Sequence, residues 1–414
     1  MNYGLIGKKL GHSFSKEVHA LLADYEYELL ELPTEEDVAT LLKEREFSAI
    51  NVTIPYKETV MPYLDEIAPE ALAIGAVNTV VNKGGRLYGY NTDFYGITAA
   101  LARMGFRDLT GKKALILGTG GTSRTAYAVF RALGASRVIK VSRTPKEEVI
   151  SYEDAVAQHA NADVIFNATP VGMFPAITGL PISLNHFQSL SCVFDAVYNP
   201  LRTNLVLEAS SRGIAAGGGL YMLVAQAFRA VELFLGTTLA PALLDEAYAK
   251  IEREKENIVL IGMPSAGKST IGRAIAERTG RTFIDLDSEI VAMAGCDIST
   301  IFRERGEAAF RDLETEAVLA NAAKNGAVIA TGGGAVLREE NVRYLRQNGT
   351  LCFLDRPLSA LTPTSDRPTA SDRAAIEARY RERYPIYTRV ADKRFAVGED
   401  FSLTTNAILK ELSL

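Results

Sequence analysis

The sequence of 414 residues is poor in several residue types, and each shortage excludes a class of protein. It contains no tryptophan, four histidines and three cysteines, Cys192, Cys296 and Cys352, which lie far apart without metal-ligand spacing. A disulfide scaffold and a His/Cys metal site are therefore not expected. No apolar run reaches the roughly 18 residues that a membrane span requires. The first residues also lack the apolar core of a signal peptide, so we expect a cytoplasmic protein.

Positive charge is not in excess either. Forty-five basic and 50 acidic residues give a net charge of −5 with histidine neutral. Nucleic acids and anionic membranes attract basic surfaces, so neither is expected as a partner. Hydrophobic residues make up 47% and charged residues 23%, which excludes disordered and fibrous classes. At roughly 150 residues per domain, the length predicts two or three domains.

Short aliphatic or β-branched runs alternate with helical stretches along the chain, which predicts α/β domains with parallel sheets. One series of runs extends from Tyr3 to Phe194 and a second from Ile258 to Leu354. In each series a strand leads into a glycine cluster, so two separate nucleotide-binding segments are predicted. The charged, glycine-free stretch Ala249–Asn257 joins the series, and we place the domain boundary near Glu254.

The second glycine cluster, Gly262-Met-Pro-Ser-Ala-Gly-Lys-Ser-Thr270, matches G-x-x-x-x-G-K-[ST] between a strand and an amphipathic helix. Backbone N–H groups of such a loop bind phosphate at the helix N-terminus. Lys268 can bridge the β- and γ-phosphates, and Ser269 can offer its hydroxyl to Mg²⁺. The loop predicts ATP binding by Ser265, Ala266, Gly267, Lys268, Ser269 and Thr270.

Two carboxylates, Asp285 and Asp287, follow the next strand. Residues spaced i, i+2 on a strand point the same way, so both are predicted to face one site. One can hold Mg²⁺ while the other touches the phosphoryl acceptor. Taken alone, the pair also fits exposed loop aspartates or a helix N-cap.

With Phe310-Arg311, Gly332-Gly333-Gly334 and Arg389 in the run YTRVA, these motifs resemble shikimate kinase from about Asn257 to Leu414. The resemblance implies a P-loop NTPase domain of three α/β/α layers that phosphorylates shikimate with MgATP. Asp287 would orient or deprotonate the attacking hydroxyl, and Ser269 and Asp285 would hold the metal. The implied shikimate contacts are Asp287, Arg311, Gly333, Gly334 and Arg389.

The resemblance also implies a lid arginine, Arg367, that closes on the phosphates of ATP. The stretch between Asp355 and Arg367 is short for the family, and Thr369-Ala370 replaces the leucines expected after Arg367-Pro368. Lid geometry is therefore expected to differ, with Arg356 as a candidate substitute for a missing basic contact. An alternative is a kinase-like regulatory or shikimate-binding module, disabled by its short lid.

The first glycine cluster, Gly118-Thr-Gly-Gly-Thr-Ser123, follows the strand Lys113–Leu117 and opens a helix. It is a G-x-G-x-x-S version of the dinucleotide-binding fingerprint, without the third glycine. The next strand ends at Arg143, where an NAD enzyme usually carries an acidic residue for the ribose 2′-hydroxyl. Arg143 can instead pair with a 2′-phosphate, with Lys146 as a possible helper, so NADP is favoured.

Lys57 and Asp93 stand out among the polar residues near the first strands. A lysine–aspartate pair can serve as the acid–base dyad of a ketone reduction, since the incoming hydride leaves an alkoxide that needs a proton. Taken singly, Lys57 would be interpreted as a solvated surface charge.

The first half resembles shikimate dehydrogenase, from about Met1 to Tyr248, through eight runs in the family's order: GHSFS, NVTIPYK, IGAVNTV, GYNTD, GTGGTSR, NATPVGM, DAVYNP and GLYMLVAQA. The resemblance implies that Lys57 and Asp93 are the catalytic pair. The implied shikimate contacts are Ser13, Ser15, Asn51, Thr53, Lys57, Asn78, Asp93, Tyr198 and Gln226. The implied NADP site is lined by Gly118, Thr119, Gly120, Gly121, Thr122, Arg143, Thr144, Val197 and Gly219.

Together the resemblances imply a bifunctional enzyme that reduces 3-dehydroshikimate to shikimate with NADPH and then phosphorylates shikimate with MgATP. The expected parts are a substrate-binding lobe (residues 1–97, completed by about 228–252), a Rossmann NADP-binding domain (98–227) and the kinase domain (255–414). The partners would be these small molecules, and both a monomer and a homodimer are compatible. A quinate/shikimate dehydrogenase that uses NAD is the alternative for the first half.

Overall fold

A computed structural model describes residues 2–11, 13–362 and 373–414 of the chain. The chain separates into two compact units, residues 1–252 and 253–414. The predicted subdivision of the first unit at residue 97 stays a prediction. Among the described helices, none is both long enough and apolar enough to cross a membrane.

The first part of unit one is a six-stranded sheet with helices. Its elements are β1 (Tyr3–Gly7), α1 (Ser15–Leu22), β2 (Tyr27–Glu31), α2 (Glu35–Glu44), β3 (Ala49–Val52), β4 (Glu66–Ile67), α3 (Pro69–Ile74), β5 (Thr79–Lys83) and β6 (Arg86–Tyr90). The strand order is β2-β1-β3-β5-β6-β4. β1 pairs in parallel with β2 and β3, but β5 is antiparallel to β3 and β6. This sheet is therefore mixed, whereas the sequence predicted parallel sheets. The tight hairpin at Gly84-Gly85 makes β5 and β6 antiparallel.

The rest of unit one contains an all-parallel sheet. Its elements are α4 (Thr92–Arg103), β7 (Lys113–Leu117), α5 (Gly121–Ala132), β8 (Arg137–Val141), β9 (Val149–Ile150), α6 (Tyr152–His159), β10 (Val164–Asn167), β11 (Cys192–Asp195), α7 (Asn204–Ser211), β12 (Ala215–Gly217), α8 (Leu220–Leu235) and α9 (Ala242–Lys255). The strand order is β12-β11-β10-β7-β8-β9. Every residue of β10 and β11 is buried, as expected for central parallel strands covered on both faces.

Helices α4 and α8 pack closely, and this contact positions residues of the first site. A Cβ atom at Gly96 would lie only 2.7 Å from the Met222 carbonyl oxygen, so a glycine is needed there. α4 begins after Asn91, whose side chain accepts a hydrogen bond from the Phe94 amide at 3.2 Å. This cap fixes the first turn of α4, which contains Asp93.

Unit two has a five-stranded parallel sheet with the order β14-β15-β13-β16-β17. Its elements are β13 (Asn257–Ile261), α10 (Lys268–Thr279), β14 (Thr282–Asp285), α11 (Leu286–Ala294), α12 (Ile298–Ala322), β15 (Ala327–Ala330), α13 (Glu339–Asn348), β16 (Gly349–Asp355), α14 (Arg373–Val390), β17 (Lys393–Ala396) and α15 (Phe401–Glu411). The central strand β13 divides its side chains between two buried clusters, with Val259 and Ile261 on one face and Ile258 and Leu260 on the other. The sheet therefore lies between two helical layers.

Candidate active sites

Lys57 and Asp93 form an ion pair in unit one. The Lys57 Nζ atom lies 2.5 Å from Asp93 Oδ2, and the two side chains are 13% and 2% exposed. Lys57 follows β3, and Asp93 is the second residue of α4. Buried charges are tolerated mainly when they are paired, so each group accounts for the burial of the other. A lysine held in this way can donate a proton to an oxygen bound beside it.

The glycine loop before α5 lies next to this pair. A Cβ atom at Gly121 would be 3.5 Å from Lys57 Cδ. Gly118 has a φ of +108°, a conformation that favours glycine. Ser123 occupies the position of the missing third glycine, where it is buried and its hydroxyl donates to the Gly118 carbonyl at 2.7 Å. The predicted dinucleotide loop and the predicted acid–base pair are thus adjacent.

The other predicted residues of the loop leave it open to a ligand. Thr119 and Gly120 are exposed, Gly121 and Thr122 begin α5, and a Cβ atom at Gly120 would meet no atom within 4 Å. Arg143 and Thr144 are exposed just beyond the end of β8. A pyrophosphate fits the N-terminus of α5, and an exposed guanidinium at the next strand end fits a phosphorylated ribose.

Val197 and Gly219 come from two segments that meet closely. Val197 is buried just after β11, and Gly219 precedes α8. A Cβ atom at Gly219 would lie 2.1 Å from the Ala196 carbonyl oxygen. Only a glycine allows this approach, so the two predicted cofactor residues lie side by side.

Three predicted substrate residues carry carboxamides that are joined by hydrogen bonds. Asn78 Nδ2 donates to Gln226 Oε1 at 3.0 Å, and Asn78 Oδ1 accepts from the Thr92 amide at 2.7 Å. Asn51 Nδ2 donates to Thr79 Oγ1 at 3.0 Å. Thr92 precedes the aspartate of the ion pair in α4, so this polar cluster is continuous with the predicted catalytic pair.

The predicted hydroxyl contacts form a second group. Ser13 Oγ donates to Ser15 Oγ at 3.0 Å, and Ser13 also hydrogen-bonds the Tyr198 side chain. Burial raises the pKa of Tyr198, which keeps its hydroxyl protonated. Thr53 follows β3, and its amide donates to the Ile6 carbonyl at 2.9 Å. The structure thus brings Ser13, Ser15 and Tyr198 together as neutral hydrogen-bonding groups.

The phosphate loop of unit two has the predicted strand–loop–helix geometry. Lys268 is the first residue of α10 and is buried, and its Nζ donates to the carbonyls of Gly262 and Met263, both at 2.9 Å. Gly267 has a φ of +93°. Ala266 is buried and Thr270 exposed on the first turn of α10. The ammonium group is therefore held at the loop, beside the helix N-terminus.

The two predicted metal ligands lie next to each other. Ser269 Oγ donates to Asp285 Oδ2 at 2.6 Å, and Asp285 Oδ1 accepts from the Asp287 amide at 3.1 Å. Asp285 is also the N-cap of α11, so the N-cap interpretation and the metal interpretation describe the same side chain. A hydroxyl and a carboxylate oxygen are ligands that suit Mg²⁺ beside a phosphate loop.

A pocket beside the phosphate loop collects the predicted acceptor residues. Arg311 Nη1 contacts the buried Glu314 Oε2 at 2.7 Å, and burial raises the pKa of Glu314 while the guanidinium opposes that shift. A Cβ atom at Gly332 would lie 2.8 Å from Asp287 Oδ1, and one at Gly334 only 2.2 Å from Arg311 Nη1. Residues around the pocket include Pro264, Asp287, Phe310, Arg311, Glu314, Gly332, Gly333, Gly334 and Arg383.

Arg389 is not part of this pocket. Its side chain is exposed, whereas Arg383, six residues earlier on α14, is 4% exposed and lines the pocket. Six helical residues correspond to a rotation of about 240°, so the two arginines cannot share a face. The structure therefore places Arg383, and not the predicted Arg389, at this pocket, and the contact of either arginine with an acceptor stays a prediction.

Arg383 is placed to meet an anion. Its Nε atom is buried without a hydrogen-bond acceptor among the described residues, and Glu382 Oε2 lies 3.9 Å away. Arg383 also hydrogen-bonds Tyr387, whose hydroxyl donates to the Gly333 carbonyl. Arg383 is therefore linked through Tyr387 to the backbone of Gly333 in the pocket.

The predicted lid residues Arg367-Pro368 and Thr369-Ala370 lie outside the described residues. Arg356 does contact the phosphate loop, since its Nη1 donates to the Ser265 carbonyl at 3.2 Å. Its guanidinium also lies over the Phe401 ring, 5.1 Å from the ring centre.

Sequence comparisons identify a family for each unit. Residues 5–80 match the sequence model of the shikimate dehydrogenase substrate-binding domain, and residues 264–413 match that of shikimate kinase. A shikimate dehydrogenase (NADP⁺) of Bacillus cereus is 36% identical over 257 residues, which are 57% of this chain and 93% of that protein. One of Clostridium perfringens is 34% identical over 266 residues, 60% of this chain and 98% of that protein.

Solved structures agree with these relatives. Shikimate dehydrogenase 1 from Peptoclostridium difficile superposes with a TM-score of 0.56 at 37% identity and covers 61% of this chain and 98% of its own. Shikimate 5-dehydrogenase from Thermus thermophilus in complex with NADP(H) and shikimate gives a TM-score of 0.54 at 33% identity, over 60% of this chain and 99% of its own.

Proposed function

Because this chain belongs to the shikimate dehydrogenase family and also carries a shikimate kinase domain, we propose that its two units act in succession on one small molecule. The first unit reduces 3-dehydroshikimate to shikimate with NADPH. The second phosphorylates the 3-hydroxyl of shikimate with MgATP. The observation that carries the first activity is the Lys57–Asp93 ion pair beside the glycine loop.

In the reduction, Lys57 donates the proton that the new alkoxide oxygen requires, and Asp93 orients the lysine through their ion pair. Bound NADPH supplies the hydride. Asn51, Asn78 and Gln226 bind the ring hydroxyls through their carboxamides. Ser13, Ser15 and Tyr198 offer neutral hydroxyl groups to the carboxylate of the substrate.

The exposed Arg143 supports NADP as the cofactor. Arg143→Ala is expected to lower the preference for NADPH over NADH by roughly 10- to 100-fold, because one charge-assisted contact to a 2′-phosphate is lost. Steady-state kcat/KM with each cofactor measures this preference. Arg137→Ala, at the opposite end of β8 and also exposed, is the matched control and should change neither value. Equal efficiency of both cofactors in the unmodified protein would contradict the assignment.

In the phosphorylation, the loop that ends at Lys268 holds the phosphates of ATP, and Ser269 and Asp285 hold Mg²⁺. Asp287 orients the acceptor hydroxyl and takes its proton. Pro264 of the phosphate loop supports this arrangement, because a Cβ atom at Gly333 in the acceptor pocket would lie 2.8 Å from its Cδ. The phosphate loop and the acceptor pocket are therefore in contact, as transfer between two bound substrates requires.

Arg311 and Arg383 bind the carboxylate of shikimate in this proposal. Arg383→Ala is expected to raise KM for shikimate by about 30- to 1000-fold. This range corresponds to about 2–4 kcal/mol, the usual loss of binding free energy when one member of a buried charge pair is removed. KM for ATP should change little. Arg389→Ala is the matched control, since it removes an exposed arginine from the same helix, and it should leave both values unchanged. A larger effect from Arg389→Ala than from Arg383→Ala would restore the assignment made from sequence.

One assay tests both activities in the full chain. 3-Dehydroshikimate, NADPH and MgATP are supplied together, NADPH absorbance reports the reduction, and mass spectrometry detects shikimate 3-phosphate. Oxidation of NADPH without any phosphorylated product would refute the kinase half of the proposal. Quinate is included as a second substrate for the reverse reaction with NADP⁺ and NAD⁺.

The cytoplasmic location, the absence of nucleic-acid and membrane partners, and the monomer or homodimer state stay predictions.

A further inference from the structure

A buried aromatic cluster lies behind Asn51 in unit one. Tyr27, the first residue of β2, is 3% exposed, and its hydroxyl donates to Asn51 Oδ1 at 2.8 Å. The His19 ring stacks on Tyr27 with 3.8 Å between ring centres, and its Nδ1 lies 2.7 Å from the Tyr25 hydroxyl. Neither Tyr27 nor His19 was among the residues that the sequence indicated. The cluster reaches the predicted substrate site through Asn51.

The Asn51 carboxamide is held from both sides. Its oxygen accepts from Tyr27, and its nitrogen donates to Thr79 Oγ1 at 3.0 Å and to the Asn78 carbonyl at 3.3 Å. A flipped amide would turn its oxygen toward the Asn78 carbonyl, where two acceptors would face each other. The surrounding donors and acceptors therefore select one of the two amide orientations, and Tyr27 supplies a hydroxyl donor to the oxygen beside the hydrogen bond that His19 makes with the same side chain.

The protonation state of the cluster does not vary near neutral pH. Burial lowers the pKa of His19 to about 3, although a hydrogen bond with Asn51 opposes the shift. Burial also raises the pKa of Tyr27 well above its usual range. A neutral imidazole and a protonated phenol thus face Asn51, and the orientation of its amide is independent of pH in that range.

We infer that Tyr27 is a positioning residue for the reductase site, which fixes the Asn51 amide in one orientation at the proposed substrate site. Tyr27 acts through Asn51 and is not a catalytic residue. The inference rests on the proposed function, because it requires that Asn51 contacts the substrate.

Tyr27→Phe in the full chain tests the inference, because it removes one hydroxyl and keeps the ring and its stack on His19. We expect KM for 3-dehydroshikimate to rise about 5- to 30-fold, the usual effect of a lost buried hydrogen bond. KM for NADPH and the kinase activity of the same polypeptide should not change. Tyr25→Phe is the matched control, since it makes the same change on the far side of His19. An equal rise in Tyr25→Phe would show that KM depends on His19 or on packing of the cluster and not on the Tyr27–Asn51 hydrogen bond, and would overturn the inference.

A double-mutant cycle separates this inference from the proposed function. Asn51→Ala alone should raise KM for 3-dehydroshikimate, and Tyr27→Phe should add nothing in that background, because it acts only through Asn51. Additive rises would overturn the positioning role and leave the substrate site intact. A normal KM in Asn51→Ala would remove Asn51 from the proposed site and the inference with it. If Tyr27→Phe does not fold, Tyr27→Leu replaces it in the cycle, since it also removes the hydroxyl that bonds Asn51, and additive rises would again overturn the inference.

Discussion

Lys268→Ala is expected to abolish phosphoryl transfer, with a loss of at least about 10³-fold in kcat, while NADPH oxidation continues. Lys268 is buried at the first turn of α10, and its ammonium group lies against the carbonyls of the phosphate loop. Charge stabilisation at the transferred phosphoryl group provides most of the catalysis in such a site, and this side chain supplies a large part of that charge. Kinase turnover with saturating shikimate and MgATP measures the loss.

The dehydrogenase activity of the same polypeptide is the internal control for Lys268→Ala. Arg278→Ala removes a cation from the exposed far end of α10, where it contacts Asn406 at 2.6 Å, and should leave phosphoryl transfer unchanged. If Lys268→Ala instead silenced both reactions, the two units would not function independently. Retention of kinase turnover would remove this loop from the reaction.

Lys57→Ala is expected to lower dehydrogenase turnover by about 10²- to 10⁴-fold, the usual contribution of a positioned acid or base. The change removes the proton donor and leaves the 2%-exposed Asp93 side chain without its 2.5 Å partner. The expected loss is in kcat, since the proton is transferred in the chemical step. Stopped-flow oxidation of a single equivalent of bound NADPH measures that step directly.

Two further variants serve as controls for Lys57→Ala. Lys43→Ala removes an exposed lysine from α2 of the same unit and should leave turnover unchanged. Asp93→Asn keeps the size of the side chain but removes its charge, and it should also slow the reaction. Turnover near the wild-type value in Lys57→Ala would exclude Lys57 from the mechanism, whatever the kinase activity shows.

Features with a local chemical cause were predictable from the sequence. The loop from Gly262 to Thr270 needs glycine at fixed positions and a lysine at the helix start, and the structure has that geometry. Asp285 ends β14 and caps α11, and Asp287 lies in the first turn of that helix, so the N-cap interpretation described the local geometry better than strand parity did. The families were recognisable for the same reason, since such local requirements leave continuous motifs.

Which arginine of α14 faces the acceptor pocket depends on the helix face on which it lies, and a motif match does not reveal that face. The buried positions of this helix are Ile376, Arg383, Tyr387 and Val390, spaced by seven, four and three residues. That spacing defines one helix face and includes Arg383 but not Arg389. The apolar members of this face were visible in the sequence, so the face on which each arginine lies could have been read from them.

The role of β2 was hidden because its sequence, YELLE, contains two glutamates and no β-branched residue, so it does not stand out as a strand. Only pairing with β1 makes it a strand and brings Tyr27 to Asn51, 24 residues away in sequence. Tertiary contacts override local preference in such segments. No local signal marks a tyrosine whose function depends on a partner so distant along the chain.

The contact between Gly334 and Arg311 restricts the order in which mutations could change the acceptor specificity of unit two. Any side chain at Gly334 would overlap the Arg311 guanidinium, which the buried Glu314 holds in place. A lineage that evolves toward an uncharged acceptor must therefore neutralise Glu314 before it replaces Arg311 or Gly334. A change at Arg311 or at Gly334 that comes first removes the guanidinium from Glu314 and leaves that carboxyl buried without this partner, and selection would remove it. The effect of a mutation at Gly334 thus depends on which residue already occupies position 311, a case of epistasis with a steric origin.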